Sequence, residues 1–108
     1  MLPKKNRVSK KDIDEIFKKK NFIGSDSLTF KFLLKDNSKV RKISFIAPKN
    51  VARPAVKRNL LRRRGYIILK KYINQFPSGI LGVFIFKKYQ DNILTIENEI
   101  KNILNKIN

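Results

Sequence analysis

At 108 residues the chain has the length of one domain, and its net charge of +18, from 26 Lys and Arg against 8 Asp and Glu, goes far beyond what solubility needs. Such a field draws polyanions, nucleic acid ahead of an anionic membrane surface. Cys, His and Trp are absent, which excludes a disulfide (including one to a partner), an ordinary zinc site, and any Ser–His or Cys–His nucleophile pair.

A first helix is expected over residues 9–20. Ser9 offers an N-cap with Asp12 three residues on, a variant of the capping box, and Val8 and Ile13 stand at staple positions. Ile13, Ile16 and Phe17 share a face, and Lys18, Lys19 and Lys20 crowd the end where the helix dipole favours cations. Residues 28–35 alternate as a strand does, Leu28, Phe30, Phe32 and Leu34 against Thr29, Lys31 and Lys35, with Leu33 out of pattern. Asp36-Asn37-Ser38 is turn chemistry, and a second strand from Val40 to Ala47 is expected to close a hairpin with the first.

Pro48 ends that strand and opens a basic loop over 48–54. A long helix is expected from Pro54, placed in its first turn, to Asn74. Its core side is read as Val56, Leu60 and Ile67, flanked by Leu61, Ile68 and Tyr72, with Arg58 and Arg62 opposite. Gly65 costs such a helix roughly 1 kcal/mol against Ala. Pro77-Ser78-Gly79 is a turn, and the apolar run Ile80–Phe86 reads as a central strand buried on both faces. A last helix follows, with Thr95 as its cap and Ile96, Ile100, Ile103 and Ile107 as one stripe. The order helix, two or three strands, helix, strand, helix gives an α+β sandwich in one domain spanning 1–108.

Charge is distributed unevenly. Residues 37–90 carry no Asp or Glu, yet hold eight lysines and six arginines. Residues 57–64, KRNLLRRR, put five cations into eight positions. A solvated helix face normally mixes signs, so that i,i+4 pairs offset repulsion; nothing offsets it here. A membrane-surface helix needs an apolar face free to lie flat, whereas this one is needed for the core. An RNA- or DNA-binding face accounts for the pattern, because arginine forks grip phosphates and stack on bases. The candidate contacts are Lys49, Asn50, Arg53, Lys57, Arg58, Asn59, Arg62, Arg63 and Arg64. The acids (Asp12, Asp14, Glu15, Asp26, Asp36, Asp91, Glu97 and Glu99) form no metal cradle and are read as solvated surface groups, which argues against a protein-only nuclease. No run approaches the roughly 18 apolar residues of a membrane span, and the basic N-terminus lacks a signal peptide's apolar segment, so a cytoplasmic protein is expected.

These residues resemble the protein subunit of bacterial ribonuclease P over nearly the whole chain. The opening LPKKNRVSKKDIDEIFKKK is similar to that family's basic lead into a helix ending in Phe-Lys. APKNVARPAVKRNLLRRR is similar to its Lys-rich loop followed by Ala-Val-x-Arg-Asn and further cations. Leu60 stands where the family carries a third cation, and Tyr66 where it carries a later Arg.

The resemblance implies the order αβββαβα in a two-layer α/β sandwich with a left-handed crossover. It implies a catalytic RNA partner that cleaves the 5′ leader from precursor tRNA with RNA-bound Mg²⁺, the protein adding no catalytic side chain. It also implies a cleft for the single-stranded leader, with Phe17 and Ile13 at its aromatic positions and Phe32 as a sheet aromatic, while Phe30 is read as core. A structural RNA-binding protein of ribosomal type is the alternative that size and charge also allow.

Overall fold

The computed structural model describes residues 6–19, 21–36 and 38–107. The elements are α1 (Lys10–Lys19), β1 (Phe22–Gly24), β2 (Leu28–Leu34), β3 (Lys42–Ile46), α2 (Ala55–Tyr72) with a 3-10 turn at Ile73–Gln75, β4 (Ile80–Phe86) and α3 (Ile93–Ile107). The strands form one sheet in the order β1-β2-β4-β3. The αβββαβα order therefore holds.

β4 is apolar at every position, so it takes a slot with a neighbour on each side and cover on each face. That overturns the expected hairpin of β2 with β3. β2 pairs with β4 antiparallel, from Leu28 against Phe86 to Leu34 against Ile80. β3 pairs with β4 parallel, so α2 is the crossover between them. The hairpin partner of β2 is instead the short β1, in the register Phe22–Lys31. The turn against the end of β2 is Pro77–Gly79: Lys35 N–H donates to the Gly79 carbonyl at 2.9 Å. Gly79 sits at φ +81°, and a Cβ there would lie 2.2 Å from the Lys35 carbonyl oxygen, so only glycine fits. Asn37, in the expected turn, lies outside the described residues.

The hand of the crossover follows from one residue. Phe45 points its ring at α2 and donates its N–H to Tyr66 Oη at 3.1 Å, off the open edge of β3. Viewed from α2 with β3 running upward, an L-residue whose side chain faces the viewer directs its N–H to the right. β4 must then lie to the left, which makes the β3–α2–β4 connection left-handed, against the usual rule.

The larger core lies between the sheet and the α2/α3 layer. Phe30, Phe84 and Phe45 stack across three strands, with ring centroids 4.3 and 5.0 Å apart. Each fully buried ring contributes on the order of 1.5–3 kcal/mol relative to exposure. The other face carries a smaller cluster, Ile16, Leu33, Leu81 and Val83, under α1. Leu33, which breaks the β2 alternation, is thus a core residue of this second face.

α1 begins with a reciprocal cap: Ser9 N–H donates to Asp12 Oδ2 at 3.0 Å and Asp12 N–H to Ser9 Oγ at 3.2 Å. Burial pushes the Asp12 carboxyl up, but these bonds and the charges of Lys42 and Lys35 outweigh it and hold its pKa below the ordinary range. Lys20, expected in the last turn, is outside the described residues.

α2 docks on a different side from the one expected. Leu61, Gly65, Tyr66, Ile68 and Leu69 are buried, while Val56 is 74% exposed, Ile67 is 50% exposed and Leu60 is half-buried. Two apolar stripes compete in this helix, and Gly65 decides between them. A Cβ on Gly65 would lie 2.5 Å from Phe45 Cε1, so its absence lets the helix backbone rest on that ring. Pro54 is the N-cap rather than a first-turn residue.

The isoleucine stripe of α3 is as expected, with Ile96, Ile100 and Ile103 buried. Its cap is Asn92, not Thr95: Asn92 Oδ1 accepts from Leu94 N–H at 2.9 Å and Thr95 N–H at 3.3 Å. Two acids read as solvated are buried, Asp12 and Glu99. Glu99 accepts from Ser27 N–H at 2.6 Å and from Ser25 Oγ, which pins the β1–β2 turn to α3.

Candidate nucleic-acid interface

An α-helix turns 100° per residue, so the consecutive Arg62, Arg63 and Arg64 cannot share a face. They fan out across α2. Arg63 is exposed beside Asn59 and Ile67, and Arg62 is half-buried with its Nη2 bonded to Asn59 Oδ1. Arg64 turns the other way. Its Nη1 lies 3.5 Å from both the Gln90 carbonyl and Asp91 Oδ1, tying α2 to the β4–α3 connection. Although it is among the candidate contacts, Arg64 thus lies apart from Arg62 and Arg63, because its helical position points it at that loop.

Arg58 also has an internal task. Its Nη1 donates to the Ala52 carbonyl at 3.1 Å and to the Arg53 carbonyl, closing the basic loop onto the first turns of α2. Lys49, Asn50 and Arg53 on that loop are exposed, as is Lys57. Among the described residues there are four ion pairs, and none takes a charge from Arg62 or Arg63. A desolvated phosphate could therefore meet these forks without displacing a carboxylate.

Arg62 borders a second hollow around the β3 edge. Arg7, Lys42, Ser44, Ile13 and Tyr66 also line it. Tyr66 is buried there and spends its hydroxyl on Phe45 N–H, so it closes a strand edge instead of replacing a cation. Ile13 packs partly into the smaller core cluster.

Phe17 lies on the far side of α1, in a hollow of about 360 Å³ lined by Phe17, Phe22, Thr29 and Lys31. Phe17 is 45% exposed and Phe22 66%, and Lys31 Nζ stands 4.7 Å from the Phe17 ring centroid. Phe32 does not belong to this cleft. Even-numbered β2 residues face α2 and α3, and Phe32 stacks on Phe30 at 5.3 Å in the larger core. Its place is taken by Phe22, opposite Lys31 on β1. The sequence hid Phe22 because a three-residue strand has too few positions to show alternation; only the register with β2 sets its face.

Fold and surface define a small, strongly cationic α+β protein with one acid-free arginine helix and one aromatic cleft. The sequence profile described as Ribonuclease P matches residues 2–108. The ribonuclease P protein component of Pseudanabaena sp. (strain PCC 6903) is 27% identical over 109 residues, covering 98% of this chain and 94% of that protein. The Staphylococcus aureus RNase P protein has the same fold, with a TM-score of 0.82 at 16% identity over 95% of this chain and 98% of that one. The Thermotoga maritima RNase P protein superimposes with a TM-score of 0.81 at 20% identity, over 94% and 97% of the two chains. The chain belongs to the ribonuclease P protein family, the protein components of an endoribonuclease ribonucleoprotein in tRNA processing.

Proposed function

We propose that the chain lies on ribonuclease P RNA through α2 and the 48–53 loop, and that it takes the single-stranded 5′ leader of precursor tRNA into the Phe17–Phe22 cleft. The observation that carries this is Arg62 and Arg63, neither in an ion pair among the described residues, set around Asn59 on a helix that contains no acid, Arg63 exposed and Arg62 on the flank beside the β3 edge. Phosphate neutralisation there tightens the complex and makes it salt-dependent. In the cleft, two exposed rings flank a cation, the combination that holds an unpaired strand by stacking plus phosphate contact.

The bond-breaking is assigned to the RNA, with Mg²⁺ held by its phosphates. Among the described residues no three or more Asp or Glu side chains gather into a metal-holding group. The protein's part is to lower repulsion between two polyanions, which reduces the Mg²⁺ they require. The setting is the cytoplasm; no helix among the described residues is long and apolar enough to cross a membrane.

The test joins the protein with a bacterial ribonuclease P RNA transcript and a 5′-labelled precursor tRNA at low Mg²⁺. Cleavage at the mature 5′ end should need both components. Arg62→Ala with Arg63→Ala should lower the salt slope of RNA binding by about two. Phe17→Ala should weaken binding of precursor tRNA and leave that of leaderless tRNA unchanged. Tight RNA binding with no stimulation of cleavage would favour a structural RNA-binding role, and cleavage by protein alone would end the assignment of chemistry to the RNA.

A further inference from the structure

We propose that the groove between the first turns of α2 and the β4–α3 connection receives one unpaired base of the partner RNA, stacked on the Tyr89 ring. This rests on the RNA-facing role of α2 proposed above. The groove is lined by Val56, Lys57, Asn59, Leu60, Arg63 and Tyr89. Its apolar part is Leu60, the Tyr89 ring and the exposed Val56. Its rim is Lys57, Arg63 and the Asn59 amide. A flat apolar ledge between two cations suits a base together with its own phosphate.

Lys57 Nζ stands 5.6 Å from the Tyr89 ring centroid, a loose cation–π contact. An arriving base can replace the ammonium on the ring, and the freed Lys57 then meets the adjoining phosphate. The ring keeps a partner on its face, and the ammonium exchanges a weak attraction for a stronger ionic one. Tyr89 is held in place for this: it packs partly against the larger core, and Arg64 fixes the next two residues, Gln90 and Asp91, to α2. Asp91, the acid nearest in sequence, is paired with Arg64 at 3.5 Å, which offsets its repulsion of a phosphate. The cationic rim selects a polyanion, and the ring beside it selects a base over a phosphate alone.

The chain has no Trp, so Tyr89→Trp places a single indole on the ledge. The probe is a bacterial ribonuclease P RNA transcript titrated into the full chain. The indole emission should be quenched on saturation, and Tyr89→Phe should bind as tightly as the parent. Tyr89→Leu should weaken binding about ten-fold with the salt slope unchanged, since stacking releases no counterion. Arg62→Ala, outside the groove, should instead lower that slope by about one. Unchanged affinity in Tyr89→Leu, or an indole that stays bright and open to acrylamide on saturated RNA, overturns the ledge while the arginine face stands. If Tyr89→Leu melts early, the indole result decides. An unchanged slope in Arg62→Ala overturns the role of α2 and the ledge with it.

Discussion

α2 and α3 lie on the same face of the sheet, yet they divide their surfaces differently. α3 turns Ile96, Ile100, Ile103 and Leu104 inward as one stripe and begins on the Asn92 cap. α2 begins at Pro54 with no side-chain cap, carries no acid along its whole length where α3 has Glu97 and Glu99, and leaves Val56 and Ile67 exposed among its cations. By its uncapped start and its unmixed charge α2 is the weaker helix. It is held by contacts made elsewhere: Gly65 on the Phe45 ring, Tyr66 on Phe45 N–H, Arg64 on Asp91, and Tyr72 on the Glu97 carboxylate of α3. The hydrogen bond to Glu97, with lesser effects of burial and that charge, pushes the Tyr72 phenol above its ordinary pKa. A helix that must present unmixed charge outward gives up its own stability and borrows it from the fold.

The sharpest way to break this contrast is a pair of truncations. Ile100→Ala should cost about 2–5 kcal/mol, the range for emptying a packed core site. Ile67→Ala, on the exposed side of α2, should stay within about 0.5 kcal/mol. Urea unfolding measures both, and equal losses would mean that α2 docks on the other stripe. Gly65→Ala comes next. A methyl gains up to about 1 kcal/mol of helix propensity, but meeting Phe45 costs about 1–3 kcal/mol. Net destabilisation is therefore expected, on the order of 1 kcal/mol. In a Phe45→Leu background the same change should become neutral or stabilising. A stabilising Gly65→Ala in the parent would show that the ring yields and that Gly65 is not the contact point.

The same contrast explains what could be seen in the sequence. The α3 stripe and the buried β4 run each answer to one demand, so periodicity and length located them. The α1 cap was visible because Ser9 and Asp12 are local to each other. α2 serves packing and charge together, and its apolar residues divide between two stripes that periodicity cannot rank. What ranks them is Phe45, far off in sequence, beneath a glycine that looked like a defect. The hairpin expectation failed for a similar reason: β2 and β3 are neighbours along the chain, but β4 outcompetes each for the other by burying both faces. In the candidate site, Arg62 and Arg63 were singled out by charge, and Phe17 by the family resemblance. Phe22 and the exclusion of Phe32 needed the sheet register, which no local pattern carries.

Effects of about 1 kcal/mol and below are expected at the two helix starts, and there the contrast should change sign. Asn92→Ala removes the cap of α3 and should cost about 1 kcal/mol, with RNA affinity unchanged. Pro54→Asp adds to α2 the cap and the acid it lacks. Aspartate can keep the extended backbone of that position (φ −65°, ψ 132°), so the first turn need not move. Side-chain capping and the dipole should then raise stability, offset by the freedom that proline had removed, for a net gain of a few tenths of a kcal/mol. The new carboxylate would stand near Arg53, Lys57 and Arg58 and cancel part of their field. RNA binding should therefore weaken and lose salt dependence while the protein melts later. A variant that gained both stability and affinity would break the link between the bare start of α2 and its cationic face. The capless start would then be an accident of Pro54 rather than a condition for binding RNA.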